Sequence, residues 1–155
     1  MKNYFPTSEF IACSNIKGHI IQPKENQSIE FWQTVLNPIR SMLGFPIKLT
    51  DWLRVHKGEK SRSQHYAGEW WSVKGAVDLR PSDKGNKEQF LRLAMLIAAN
   101  SKIKRVCYYM PSSRFPNGGF HLDCKGDEKV LFINEGRAIN WKRVNDIEFI
   151  QAVSK

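Results

Sequence analysis

Two histidines and an aspartate stand in tight local settings in this chain: His65 in Ser63-Gln64-His65, Asp78 in Gly75-Ala76-Val77-Asp78, and His121 in Gly119-Phe120-His121-Leu122-Asp123. Two imidazoles and a carboxylate are a donor set that suits zinc. Three protein ligands hold the ion, the anionic ligand offsets part of its charge, and water takes the fourth position. Zinc brings the pKa of that water toward ~7 and polarises a carbonyl, which makes amide hydrolysis possible at neutral pH. A nearby carboxylate then carries the proton to the leaving amine. The same residue types also occur where nothing binds, as hydrogen-bonded or surface histidines and as an aspartate that caps a turn. On residue types alone this plainer reading is favoured.

The elements that must position these residues can be read from periodicity. Phe120 to Cys124 reads as a strand with Phe120, Leu122 and Cys124 on one face and His121 and Asp123 on the other. Gly75 to Leu79 reads as a short strand in which Ala76 and Asp78 share a face. Two strands can thus present a histidine and an aspartate to one cleft, with His65 arriving from the polar loop 57–74. Strand pairing itself is not visible in sequence.

Pro46 to Val55 reads as a further strand, with Ile47, Leu49, Asp51, Leu53 and Val55 on one face and Lys48, Thr50, Trp52, Arg54 and His56 on the other. Asp51 is the exception on its apolar face. A helix is expected from a Ser28 cap to about Leu43, kinked or split at Pro38. Thr7 to Ile11 reads as a helical turn in an otherwise irregular start. Asn86 and Gln89 form a capping-box-like start to a second helix, whose apolar stripe is Phe90, Leu93, Ala94, Ile97 and Ala98. Ile103 to Tyr109 is expected as a strand and Pro111 to Gly118 as a turn-rich loop. Lys129 to Ile133 is expected to form a hairpin with Phe120 to Cys124, and a short helix to follow Trp141. The expected class is α+β, with helices packed on one side of a small, mostly antiparallel sheet, in a single domain over 1–155.

Composition bounds the function classes. The chain has 155 residues, 41% hydrophobic and 25% charged, which is ordinary globular chemistry with a real core. Its formal net charge of +9 favours anionic partners such as nucleic acid, acidic lipid or cell-wall polymer, without choosing among them. Met1 to Pro6 has no apolar stretch of the secretory-signal kind, and no run is long enough to cross a bilayer. Cys13, Cys107 and Cys124 show no paired spacing and are expected to be reduced. Cys124 lies close to His121, so a metal role competes there with that of a small buried apolar residue.

Read in order, several segments resemble the M15 peptidase family, the zinc D-Ala-D-Ala carboxypeptidase/endopeptidase-like proteins that cut peptidoglycan stems. Tyr4-Phe5-Pro6-Thr7-Ser8-Glu9-Phe10 is similar to the family's "YFTLSEF" opening. Leu36-Asn37-Pro38-Ile39-Arg40 with Phe45-Pro46-Ile47 is similar to "LxPLR…gkPI", and Trp52-Leu53-Arg54 falls where the family has "SGYR". Ser63-Gln64-His65 matches "SQH", Gly75-Ala76-Val77-Asp78-Leu79 matches "GxAxDL", and Gly119-Phe120-His121-Leu122-Asp123 resembles "GFVHVD".

The resemblance implies a LAS/hedgehog-like peptidase fold with His65, Asp78 and His121 as zinc ligands. It makes Arg54 the substrate arginine, holding a carboxylate or the developing oxyanion. A surface salt bridge is the competing role for Arg54. Two departures from the family pattern follow. His65 and Asp78 are thirteen residues apart, more than in the commonest family pattern, which implies an insertion around Tyr66 to Lys74. That segment carries Glu69, Trp70 and Trp71, which read either as a flap stacking on sugar or peptide or as an anchor to the core. Gly118 stands where many members carry the catalytic acid/base. Asp123 is the first alternative for that role and Glu69 the second. Orientation of a histidine ligand is an equal reading of Asp123.

The function implied is a zinc-dependent peptidoglycan peptidase, a monomeric phage lytic enzyme made in the host cytoplasm and released at lysis or carried in the virion. The alternative is a non-catalytic cell-wall-binding or virion structural protein that keeps the fold. A nucleic-acid-binding domain is a third reading. Lys57, Lys60, Arg62, Lys102, Lys104, Arg105, Lys142 and Arg143 supply charge but form no recognisable nucleic-acid motif, so no specific nucleic acid is expected.

Overall fold

A computed structural model of the chain describes residues 2–14, 16–55, 64–65, 74–82, 85–113, 115–136 and 140–155. The described residues form an α+β structure, α1(Thr7–Cys13), α2(Pro23–Leu43), β1(Ile47–Asp51), β2(Ala76–Pro81), α3(Lys87–Ala99), β3(Arg105–Tyr109), β4(Gly119–Asp123), β5(Val130–Asn134), β6(Lys142–Val144) and α4(Asp146–Val153). The strands make one six-stranded sheet in the order β1-β2-β4-β3-β5-β6. It is mixed: β3 and β5 run parallel, and the other neighbours are antiparallel.

Alternation divides the sheet into an apolar face and a polar one. Leu49, Val77, Leu79, Val106, Tyr108, Phe120, Leu122, Leu131, Ile133 and Val144 join a single core with residues of all four helices, among them Phe10, Trp32, Leu36, Leu93, Ile97 and Phe149. The residues between them, including Asp78, Arg105, Cys107, His121 and Asp123, take the opposite face. The chemistry-bearing residues of β2, β3 and β4 thus stand on the face turned away from the main core.

Several expectations need correction. The long helix begins at Pro23, whose missing N–H costs nothing in the first turn. The Gln22 N–H donates to the Glu25 carboxylate at 2.8 Å, and Glu25 also holds His19 Nε2 at 2.8 Å. Ser28 is therefore inside α2 rather than its cap. Fully buried, it donates to the Lys74 carbonyl at 2.7 Å and accepts from Trp52 Nε1 at 3.0 Å. Helix α2 is not split at Pro38: it runs on to Leu43 with Val35, Leu36 and Ile39 buried in the core. Packing there outweighs the local helix-breaking tendency.

The first strand stops at Asp51, where the pairing slips. Leu49 faces Leu79 but Asp51 faces Asp78, which makes a bulge at Thr50. The slip ends simple alternation, so Trp52 and Leu53 are both fully buried, and Trp52 does not share a face with the exposed Arg54. The expected hairpin of Phe120 to Cys124 with Lys129 to Ile133 does not form. Both edges of β4 are taken, by β2 and by β3, and β5 pairs with β3 instead. Trp141 precedes the short strand β6, and α4 starts only at Asp146 under an Asn145–Glu148 capping box. The capping box at Asn86 and Gln89 and the buried stripe Phe90, Leu93, Ala94 and Ile97 are as expected.

Candidate metal centre

The sheet register brings the sequence-distant residues together. Asp78 in the middle of β2 is the direct partner of His121 in the middle of β4. His65 comes from outside the sheet and is held by backbone on both sides. Its carbonyl accepts from the Arg54 N–H at 2.8 Å, and its Nδ1 meets the Trp52 carbonyl at 2.9 Å. The slip at Thr50 and the burial of Trp52 place that carbonyl. His65 is buried, as is His121, and Asp78 is half-buried.

Hydrogen-bond logic then assigns the ring nitrogens. A carbonyl only accepts, so His65 Nδ1 carries the proton toward Trp52, leaving Nε2 bare in the neutral ring. His121 Nε2 donates to the Asp123 carboxylate at 2.8 Å, leaving Nδ1 as the inner atom. The inner atoms converge: His65 Nε2 lies 3.1 Å from His121 Nδ1 and 3.1 Å from Asp78 Oδ1, and His121 Nδ1 lies 2.8 Å from Asp78 Oδ1. Three lone pairs at this separation repel one another unless a cation sits among them. A proton can serve, and so can a metal ion bound to all three. The group can hold a metal ion, and its outer nitrogens are anchored as histidine ligands usually are.

The electrostatics express the same need. Burial disfavours a charged His121, but the bonds and charges of Asp123 and Asp78 outweigh it and raise its pKa to about 9. Burial opposes ionisation of Asp78, yet His65 and His121 hold its carboxyl well below the usual range. Asp123 is fully buried, which again opposes ionisation, and its bonds from His121 and Arg105 bring its pKa down to about 2.

Asp123, the first candidate for the proton shuttle, is fully buried. It accepts from His121 Nε2, from Arg105 Nε at 2.8 and 3.1 Å, from Arg105 Nη2 and from the Lys125 N–H at 2.9 Å. With no exposure and these bonds engaged, it has the geometry expected of a group that orients His121. Arg54 pairs with Asp51, Nε to Oδ2 at 2.7 Å and Nη2 to Oδ2 at 2.6 Å, and its side chain is 42% exposed. The salt-bridge geometry expected as the competing role is therefore present. Because Asp51 is the cross-strand partner of Asp78, the pair lies beside the His65–Asp78–His121 group. Glu69, Trp70, Trp71, Ser63 and His56 lie outside the described residues. Cys124 donates weakly to the Lys102 carbonyl at 3.2 Å and is not part of the cluster, and all three cysteines are free.

Gly118 has φ +62°, and a Cβ there would stand 3.0 Å from the Tyr109 carbonyl oxygen. The backbone at that position favours glycine and leaves little room for a carboxylate side chain.

Sequence reading missed Arg105 and Trp141. Arg105 shares a strand face with Cys107 and Tyr109 but shows its role only through pairing with Asp123. Trp141 covers His121, ring centroids 4.9 Å apart, and also packs on Phe132 and Tyr109. Its signal was a single tryptophan in a polar stretch, which by itself points nowhere. The misplaced Asp51 did carry a signal, since a carboxylate on an apolar strand face is a mark of a bulge.

No helix among the described residues is long and apolar enough to cross a membrane. Comparison with protein-family models, with curated proteins and with solved structures finds no match to this chain.

Proposed function

We propose that this chain is a zinc-dependent peptidase of peptidoglycan, with the LAS/hedgehog-like fold implied by its resemblance to the M15 family, acting on stem peptides or cross-links as a phage lytic enzyme. The observation that carries the proposal is the convergence of His65 Nε2, Asp78 Oδ1 and His121 Nδ1 within 3.1 Å of one another, with the outer nitrogens anchored from behind. These three residues would hold the ion. A bound zinc supplies Lewis-acid activation of water and of the scissile carbonyl near neutral pH.

The chain's own groups do the rest. The Trp52 carbonyl fixes the tautomer of His65, and Asp123 fixes that of His121. Arg54, exposed beside Asp78's strand, offers the remaining donors of its guanidinium to a substrate carboxylate or oxyanion. Since Asp123 is enclosed, proton transfer falls to Asp51, half-buried next to Asp78, or to Glu69. The net charge of +9 draws the protein to an anionic wall in a salt-dependent way. Synthesis in the host cytoplasm with release at lysis, or carriage in the virion, fits that role.

A turbidity assay on purified cell walls tests the reading. Lysis that stops with chelator and with His65→Ala is expected, and activity untouched by either sinks the metal mechanism. A second reading is a non-catalytic wall-binding or virion structural protein of the same fold. It is favoured by the geometry at Gly118, which leaves no acid/base there. Wall binding without release of new amino termini would establish it.

A further inference from the structure

Among the described residues, Arg105 is a strong charge near the cluster that neither metal binding nor the proposed hydrolysis employs. It opens β3 directly opposite Asp123 on β4. Its guanidinium grips both carboxylate oxygens, Nε at 2.8 and 3.1 Å and Nη2 alongside. On the other side of Asp123 the cross-strand partner is Ala76, whose side chain has no polar group to offer. The carboxylate plane is therefore set by Arg105 and by the Lys125 N–H at 2.9 Å. That leaves Oδ2 aimed at His121 Nε2, 2.8 Å away. Trp141 closes the arrangement from outside, its ring 5.4 Å from the Arg105 guanidinium carbon and 4.9 Å from the His121 ring.

An exposed arginine–carboxylate pair contributes little to a fold. This pair differs, because the carboxylate is fully buried and the arginine side chain only 23% exposed. Planar two-point contact fixes direction as well as charge, which a lysine in the same place does not do. A ligand histidine needs that direction, since its inner lone pair must point at the ion to within a narrow angle.

We propose that Arg105 is a positioning residue of the metal centre: through Asp123 it fixes the ring plane of His121 and so sets how tightly the site holds a divalent ion. Residues that orient ligand histidines typically change metal affinity by ~10–100-fold when removed. Arg105 stands one step further out and acts through the same bond.

The test uses the whole chain and two readouts. In zinc competition with a chromophoric chelator, Arg105→Gln is expected to bind ~10–100-fold more weakly than the wild type, with Arg105→Lys between them. Asp123→Asn is expected to weaken binding similarly, and Arg105→Gln/Asp123→Asn to be no weaker than the weaker single variant. The second readout needs no metal: the His121 Nε2–H proton, bonded to Asp123, should give a downfield NMR signal protected from exchange. Arg105→Gln should lose it by exchange.

Wild-type zinc affinity in Arg105→Gln, or additive losses in the double variant, overturns the proposal. So does a protected Nε2–H signal that survives the substitution. If the wild type itself binds no zinc, the metal reading under the proposed function fails, and the Nε2–H signal still decides for or against Arg105. If Arg105→Gln does not fold, Arg105→Lys, which keeps the charge, carries both comparisons.

Discussion

Metal binding at this cluster should expel a proton. His121 Nδ1 is the atom that must face the ion, and in the metal-free protein it points at Asp78 Oδ1 from 2.8 Å. With its pKa raised to about 9, mainly by the bonds of Asp123 and Asp78 against the opposing cost of burial, the ring is charged at pH 7 and Nδ1 carries hydrogen. A metal ion must displace that hydrogen. At about 1.36 kcal/mol per pH unit, removing it at pH 7 costs about 3 kcal/mol, or on the order of 100-fold in apparent affinity. Affinity should therefore rise close to tenfold per pH unit from pH 6.5 to 8.5 and level off above about 9. Calorimetric titration of zinc at pH 7 in two buffers of different ionisation enthalpy counts the protons, with about one expected per ion. Chelator competition across the same pH range measures the slope. Release of no proton together with a flat affinity profile would refute the reasoning, since it would mean that His121 already presents a bare Nδ1.

Three further outcomes follow. In chelator, a raised His121 pKa stabilises the fold fully below the unfolded value of 6.5, and that contribution fades as pH rises through about 9. Denaturant titrations should show a loss of up to about 3 kcal/mol over that window in the metal-free protein, and constant or rising stability would contradict it. Gly118→Glu should lower stability by ~1–3 kcal/mol, given φ +62° and the Tyr109 carbonyl oxygen 3.0 Å from its Cβ, without adding hydrolysis. A variant with unchanged melting temperature and new chelator-sensitive wall hydrolysis would overturn that account. Ser28→Ala removes both a donor to the Lys74 carbonyl and the hydroxyl that accepts from Trp52 Nε1 at a fully buried junction, so it should cost ~1–3 kcal/mol by thermal melting. An unchanged melting temperature would mean that Trp32 Nε1, 2.7 Å from the same carbonyl, holds that junction alone.

The parts of the fold legible in sequence are those written in local pattern. The apolar stripe of α3 and its Asn86–Gln89 cap are local, and so is the alternation that puts His121 and Asp123 on one face of β4. The parts that were not legible depend on who sits beside whom. Alternation says which face a strand buries but not which edge it uses, so the β4–β5 hairpin was expected where β3 intervenes. The role of Arg105 is invisible for the same reason: it appears only when β3 is laid against β4. Pro38 marks a different limit, because helix-breaking is a local tendency of a few kcal/mol and the burial of Val35, Leu36 and Ile39 around it is larger. The candidate ligands His65, Asp78 and His121 were named by the resemblance, since residue types alone favoured the plainer reading, and the structure brings the three together. That Trp52 would orient His65 through its carbonyl rather than its ring could not be read from any residue type.

Holding a metal and using it would be separate properties in this chain, and under the proposed function they would fall to different parts of it. Asp78 and His121 sit at the centre of adjacent strands, and His65 is tied by backbone to residues 52 and 54 at the bulged end of β1. Each is positioned by the sheet or by a buried partner, so ion binding needs little from the surrounding loops. Proton transfer has no such support. Gly118 is a glycine whose backbone disfavours a replacement, and Asp123 is enclosed by Arg105 and His121. The bulge at Thr50 supplies the remaining carboxylate of β1, turning Asp51 from the apolar face toward Asp78. Asp51 is held by Arg54, and the two are exposed enough to exchange that bond for one to a substrate. A substrate carboxylate that takes Arg54 would release Asp51 beside the metal centre, so substrate binding and the freeing of a proton acceptor become one event. On this logic Asp51→Asn should leave zinc affinity near the wild-type value while abolishing wall hydrolysis, whereas an equal loss of both would place Asp51 in the metal-binding scaffold instead.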